Sequence, residues 1–151
     1  MGNPSNNKGN PSLNKNRYLV DTSIWIDLYE DKKGYQGQPL GDFAWKLFAK
    51  IKSKKDIVVI SELLIIELEM NYSIEEIRGM MEPFKDLIEK ITITKHQRDE
   101  AKKIARERNI PKGDALHAIL TRDNELILIT RDTHFKKLED ISKHYKPEDF
   151  I

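Results

Sequence analysis

Cysteine is absent from this chain of 151 residues. That removes disulfides, thiolate catalysis and cysteine-based zinc centres from consideration. No apolar run approaches the roughly 18 residues that would suggest a membrane span, and the amino terminus lacks the hydrophobic core of a signal peptide. An excess of one charge is also missing. Lys and Arg total 26, Asp and Glu total 25, and the formal net charge is +1. Such a balance argues against a protein that coats nucleic acid through global positive charge, while allowing a basic rim around an acidic centre. No Walker sequence and no GxGxxG is found, so nothing points to a nucleotide cofactor. The expectation is a soluble cytoplasmic protein with no membrane contact.

What is present organises itself into one domain. Residues 1–16 are rich in Asn, Gly, Pro, Ser and Lys and cannot bury enough surface to offset their ordering entropy, so they read as a disordered tail. From residue 17 to 151 strands and helices alternate. Arg17–Asp21, Ile57–Ile60, Ile91–Ile93 and Leu126–Thr130 read as strands. Helices are expected over Ile24–Tyr29, from a cap at Asp42 to Lys54, after a cap at Ser61, and from the capping box Ser73-Ile74-Glu75-Glu76 to Glu89 with a kink or break at Pro83. Two more are expected over Gln97–Asn109 and Asp114–Arg122, and Asp31–Gly41 reads as a loop. Strands separated by helices imply an α/β fold with a parallel sheet covered on both faces, whose function collects beyond the carboxyl ends of the strands.

Four carboxylates stand out against that plan. Asp21 and Asp132 lie at or just past the ends of strands, Glu67 lies within the apolar stretch Leu63–Leu68, and Asp114 opens a helix. Each has an ordinary reading beside the functional one. Asp21 and Asp114 can cap helices, Asp132 can turn the chain, and Glu67 can pair with a Lys or Arg. Glu67 is the hardest to dismiss, because an ionised carboxylate among apolar neighbours needs a partner or a metal. Brought together, the four would repel one another, and hard oxygen donors of this kind suit Mg²⁺ or Mn²⁺. A divalent ion so held can activate water and neutralise charge developing on a phosphodiester. Ser23 and Thr130 can donate hydrogen bonds to the carboxylates or to metal-bound water. His117 is read as an ordinary core or surface histidine and stays outside the site; contact of His134 with substrate is considered and not favoured.

Read together, Tyr18-Leu19-Val20-Asp21-Thr22-Ser23, Ile60-Ser61 with Glu67-Leu68, Asp114-Ala115-Leu116-His117-Ala118, Leu128-Ile129-Thr130-Arg131-Asp132 with His134-Phe135, and Lys146-Pro147-Glu148-Asp149-Phe150 resemble a PIN domain. The likeness is to the VapC-like ribonuclease toxins of prokaryotic toxin–antitoxin pairs, and it spans about residues 17–151. It implies a three-layer α/β/α sandwich with a central, mostly parallel sheet, and metal-dependent cleavage of RNA by Asp21, Glu67, Asp114 and Asp132 as catalytic and metal-binding residues. It also implies a homodimer and a small antitoxin protein whose tail covers the acidic pocket. Lys112 and Arg131 flank two of the acids and are the residues expected to contact substrate phosphate. Residues 1–16, the loop 31–41 and Trp25 have no counterpart in the resemblance. The other readings are a catalytically inactive PIN-like scaffold or RNA-binding module, and an RNA-processing nuclease that is not a toxin. Phosphoryl chemistry on Asp21 is disfavoured, since residue 23 is Ser where the phosphatases of that type carry a second acid.

Overall fold

Tyr18, Leu19 and Val20 are all buried, which a strand needs when helices cover both faces of its sheet. In the computed structural model, which describes residues 15–151, they belong to β1 (Arg17–Val20), the central strand. The remaining strands are β2 (Ile57–Ser61), β3 (Ile88–Ile91), β4 (Ile127–Ile129) and β5 (His144–Tyr145). All pair in parallel, in the order β3-β2-β1-β4-β5. Leu19 stands opposite Val59 on one side and Leu128 on the other. Because β2 lies to one side of β1 and β4 to the other, the strand order reverses at β1, and a crevice opens there beyond the strand ends.

Side-chain alternation divides the core in two. Tyr18, Val20, Val58, Ile60 and Ile129 face α1 (Thr22–Glu30), α2 (Leu40–Lys54), α3 (Glu62–Glu69) and α4 (Ile74–Met81). Leu19, Val59 and Leu128 face α5 (Lys95–Arg108) and α6 (Lys112–Asn124). This is the expected three-layer arrangement, with a fully parallel sheet. Trp25 is fully buried in the first core, with its ring 4.7 Å from that of Phe48 and 6.2 Å from that of Phe84.

Several boundaries differ from the sequence reading, each for a local reason. The helix expected to run to Glu89 stops at Met81, tightens into a 3-10 turn over Glu82–Leu87, and gives way to β3 at Ile88. Pro83 is responsible: it has no N–H to continue the α pattern, and its ring collides with the carbonyl one turn back. The third strand therefore lies three residues before the expected Ile91. α2 starts at Leu40 behind Pro39, and Asp42, expected as its cap, instead pairs with Lys46 at 3.2 Å within the first turn. α5 starts at Lys95, two residues before the expected Gln97, because Thr94 and Gln97 form a capping box. Ser61 and the capping box of Ser73 and Glu76 act as read. The tail expected over residues 1–16 falls, for residues 1–14, outside the described residues; Asn16 donates its N–H to the Asp56 carboxylate at 3.1 Å and accepts from Ile57 N–H at 2.9 Å. Among the described residues no helix is long and apolar enough to cross a membrane.

Candidate metal centre

The Asp21 N–H donates to the Ile129 carbonyl at 2.9 Å, extending the β1–β4 ladder by one residue past the end of β1. The chain then turns into α1, with Asp21 at the N-cap accepting from Thr22 N–H at 2.7 Å through Oδ1. Capping and site-building are thus the same geometry: the cap fixes the carboxylate at the mouth of the β1–β4 crevice. Its other oxygen, Oδ2, accepts from Thr130 Oγ at 2.8 Å and from Ser23 Oγ at 3.3 Å. Both hydroxyls singled out in the sequence therefore reach Asp21.

Glu67 comes from α3, held over the same crevice by the burial of Leu64 and Leu68 on either side. Its Oε1 accepts from Thr22 Oγ at 2.6 Å and lies 2.9 Å from His117 Nε2. His117 Nε2 is also 3.9 Å from Asp21 Oδ1. The partner of Glu67 is thus a histidine, not the Lys or Arg considered from sequence. Burial pushes the Glu67 carboxyl upward, but the bonds from His117 and Thr22 outweigh it and hold it below its ordinary value. The same pair acts on His117: burial favours the neutral ring, yet the bond to Glu67 and the charges of Asp21, Glu67 and Asp114 hold its affinity for protons above the ordinary value.

Asp114 and Asp132 form the other side. Asp114 is the third residue of α6, which starts at Lys112 rather than at Asp114. Asp132 caps the 3-10 turn Thr133–Leu138, accepting from His134 N–H at 2.8 Å, while its own N–H donates to Thr130 Oγ at 3.0 Å. The His134 ring bridges the two acids, with Nδ1 3.0 Å from Asp114 Oδ2 and 2.9 Å from Asp132 Oδ1. The Asp114 carboxyl is raised to about 6, by burial first and then by the charges of Asp132 and Asp21. Asp21 and Asp132 therefore stand close enough to Asp114 for their charges to disfavour its ionisation. Asp21, Glu67 and His117 offer ligand atoms within 4.8 Å of one another, as do Asp114, Asp132 and His134. Four carboxylates at the mouth of one crevice are a donor set of hard oxygens, and a cation there would relieve the repulsion felt by Asp114. The residues present fit a divalent ion of the Mg²⁺ or Mn²⁺ type.

The two basic residues expected at the substrate are placed differently from each other. Arg131 makes a bidentate pair with Glu148, at 2.8 and 2.7 Å, lies 3.7 Å from Asp27, and stands over the Phe43 ring. Those contacts leave it little freedom to meet a phosphate. Lys112 is exposed and borders a shallow depression of about 180 Å³ with Arg98, Ala101, Lys102 and Leu116. Sequence reasoning missed Thr22, Gly113 and His117. For His117 a signal was available: three residues after Asp114 on a helix, it shares a face with that acid. For Gly113 there was none, since only the fold shows that a Cβ there would stand 2.8 Å from Glu67 Oε2.

Comparison with known proteins bears on this arrangement. The family model of the PIN domain matches residues 18–141. No curated protein matches the chain in sequence. Among solved structures, the fold is similar to that of VapBC2 from Rickettsia felis, determined bound to a DNA fragment from their promoter. That match has a TM-score of 0.58 at 16% identity and covers 86% of this chain and 96% of the other. A toxin–antitoxin complex from Klebsiella pneumoniae matches with a TM-score of 0.56 at 18% identity, over 86% of this chain and 97% of the other. FitAcB from Neisseria gonorrhoeae matches with 0.56 at 12% identity, over 87% and 98%.

Proposed function

The chain belongs to the PIN domain family, and from that premise we propose that it is a metal-dependent endoribonuclease acting as the toxin of a toxin–antitoxin pair. The observation that carries the reading is the convergence of Asp21, Glu67, Asp114 and Asp132 on one crevice, with the Asp114 carboxyl raised to about 6 by burial and by its neighbours. An idle cluster of this kind costs stability; a working one is stabilised by its cation.

In this reading the four acids hold Mg²⁺ or Mn²⁺, which when bound would lower the pKa of a water and offset charge building on a phosphodiester. The chain's own residues do the rest. Thr130 and Ser23 fix the Asp21 carboxylate, and His134 holds Asp114 and Asp132 in register. Lys112, with Arg98 and Lys102 across the depression, takes the RNA backbone where it leaves the acids, by charge rather than by base recognition. Arg131, held by Glu148, contributes to the wall of the site.

Support for an antitoxin partner comes from the toxin–antitoxin complexes among the similar structures and from an apolar groove of about 380 Å³. Trp25, Tyr29, Trp45, Phe48, Met80 and Phe84 line it, and Trp45 is 60% exposed. An apolar segment of a small protein would bury that surface. A homodimer remains part of the proposal on the family resemblance alone.

The test is cleavage of an RNA oligonucleotide with Mn²⁺ by the purified protein and by Asp21→Asn. Activity in the first and none in the second, with unchanged circular dichroism, is expected. Equal activity in both would sink the assignment. No cleavage and no rise of melting temperature with Mn²⁺ would favour an inactive scaffold.

A further inference from the structure

His117 is the one fully buried ionisable side chain among the described residues that stands against the acids, with no solvent exposure. Its Nε2 lies 2.9 Å from Glu67 Oε1, and its Nδ1 is buried without a hydrogen-bond partner. We propose that His117 is a positioning residue, not a metal ligand: it commits one oxygen of Glu67 and thereby presents the other, Oε2, to the centre. The inference rests on reading the four acids as a metal centre.

The tautomer follows from the surroundings. The imidazolium carries a proton on each nitrogen, so its Nε2 donates to Glu67 in any case; a neutral imidazole carries one proton on one of its two nitrogens. With the proton on Nδ1, a buried donor would face no acceptor, and the lone pair on Nε2 would point at the lone pairs of Oε1. With the proton on Nε2, a charge-assisted bond forms to Glu67 and only a lone pair goes unfilled, the smaller cost. A nitrogen that donates its proton to Oε1 has no lone pair left for a cation.

The effect falls on Glu67. Thr22 Oγ donates to the same Oε1 at 2.6 Å, so two donors fix one oxygen and set the plane of the carboxylate. Oε2 has no donor among the described residues. It stands over the backbone of Gly113, the residue before Asp114, at a distance where an added Cβ would be only 2.8 Å away. Glu67 is therefore arranged to offer a single oxygen on the side of Asp114. Removing the donor would let the carboxylate rotate among orientations, and an outer-shell loss of that kind typically weakens metal binding by roughly ten- to a hundredfold.

The experiment uses the full chain and Mn²⁺ alone. Electron spin echo spectroscopy of the wild-type protein with Mn²⁺ should show no directly coordinated nitrogen, a measurement that needs no variant to fold. By calorimetry, H117L should bind Mn²⁺ about tenfold or more weakly, while H117Q, which keeps an N–H near the reach of Nε2, should recover most of the affinity. A strong nitrogen coupling lost in both variants would make His117 a ligand and overturn the proposal. Unchanged Mn²⁺ affinity in folded H117L would overturn it as well, leaving the metal centre intact. A wild-type protein that binds no Mn²⁺ would remove the centre itself, and the proposal with it.

Discussion

Asp21 and Thr130, 109 positions apart in the chain, meet through a hydrogen bond of 2.8 Å. The Thr130 hydroxyl donates to the Asp21 carboxylate and accepts from the Asp132 N–H at 3.0 Å. One buried side chain thus couples the acid after β1 to the acid after β4, across the line where strand order reverses. Thr130→Val keeps the shape and removes both bonds, leaving the Asp132 N–H without its acceptor. A loss of about 1–3 kcal/mol is expected without metal, read as a lower midpoint in urea, together with weaker Mn²⁺ binding. An unaltered midpoint would show that the bond contributes nothing to holding the acids.

Asp114 makes the metal-free protein sensitive to pH. Its carboxyl is raised to about 6 from an ordinary 3.8, so the folded state binds the proton more tightly than the unfolded one. The stability this contributes is fully present below about 3.8 and is lost as pH rises through about 6. At neutral pH the ionised group is a liability of about 3 kcal/mol if the whole shift counts, and less once solvent screens this half-buried carboxylate. Asp114→Asn should therefore melt higher than the wild type at pH 7.5 without metal, with the difference shrinking toward pH 4. Added Mn²⁺ should reverse the ranking by stabilising only the wild type. Calorimetric melting across pH, with and without Mn²⁺, measures both. A variant less stable than wild type in metal-free buffer at pH 7.5 would contradict the assignment of strain to Asp114.

The architecture could be read from sequence where physics is local. β1 and β4 are short runs ending in buried apolar residues, and the Ser73 box follows from a hydroxyl and a carboxylate three residues apart. Reading failed where the decisive partner is distant. His117 finds Glu67 across 50 positions, and neither residue alone says which of Lys, Arg or His will neutralise a half-buried acid. β5 has only two residues, His144 and Tyr145, too few for any periodicity. The β3 boundary depended on Pro83 ending a helix rather than kinking it, and the burial of Phe84 in the first core fixes that choice. The places of Asp21 and Asp132 were legible because their roles as caps coincide with the strand ends that carry them, whereas Glu67 and Asp114 lie within α3 and α6.

Arg131 distinguishes structure from sequence expectation in a measurable way. Its side chain is 18% exposed, between Glu148 and Asp27, and Glu148 is held below its ordinary value against burial by that pair. The contribution of Glu148 is then present above the ordinary carboxylate range and lost as pH falls through its lowered value. Arg131→Ala should lower stability by about 1–3 kcal/mol, with the deficit fading in acid as Glu148 protonates. The salt dependence of RNA binding should be unchanged. Lys112→Ala should do the opposite, leaving the melting temperature alone and reducing the salt slope. If Arg131→Ala melts like the wild type but binds RNA weakly, the arginine is a phosphate contact after all.

Gly113 offers the sharpest separation of folding from function. It is the second residue of α6, where alanine would ordinarily favour a helix by about 0.5–1 kcal/mol. Here the added Cβ would stand 2.8 Å from Glu67 Oε2, closer than any ordinary contact. A free glutamate would swing aside, but Thr22 and His117 hold Oε1 at 2.6 and 2.9 Å. Gly113→Ala should therefore fold with a melting temperature within a few degrees of wild type in the absence of metal, since helix propensity and displacement of Glu67 oppose each other. Mn²⁺ affinity and RNA cleavage should both fall if, as proposed, the displaced oxygen is the one Glu67 offers to the centre. The paired measurement is melting without metal and Mn²⁺ titration by calorimetry on the same preparation. A variant with raised stability and full Mn²⁺ affinity would mean that Glu67 Oε2 has room to move and plays no part in holding the ion.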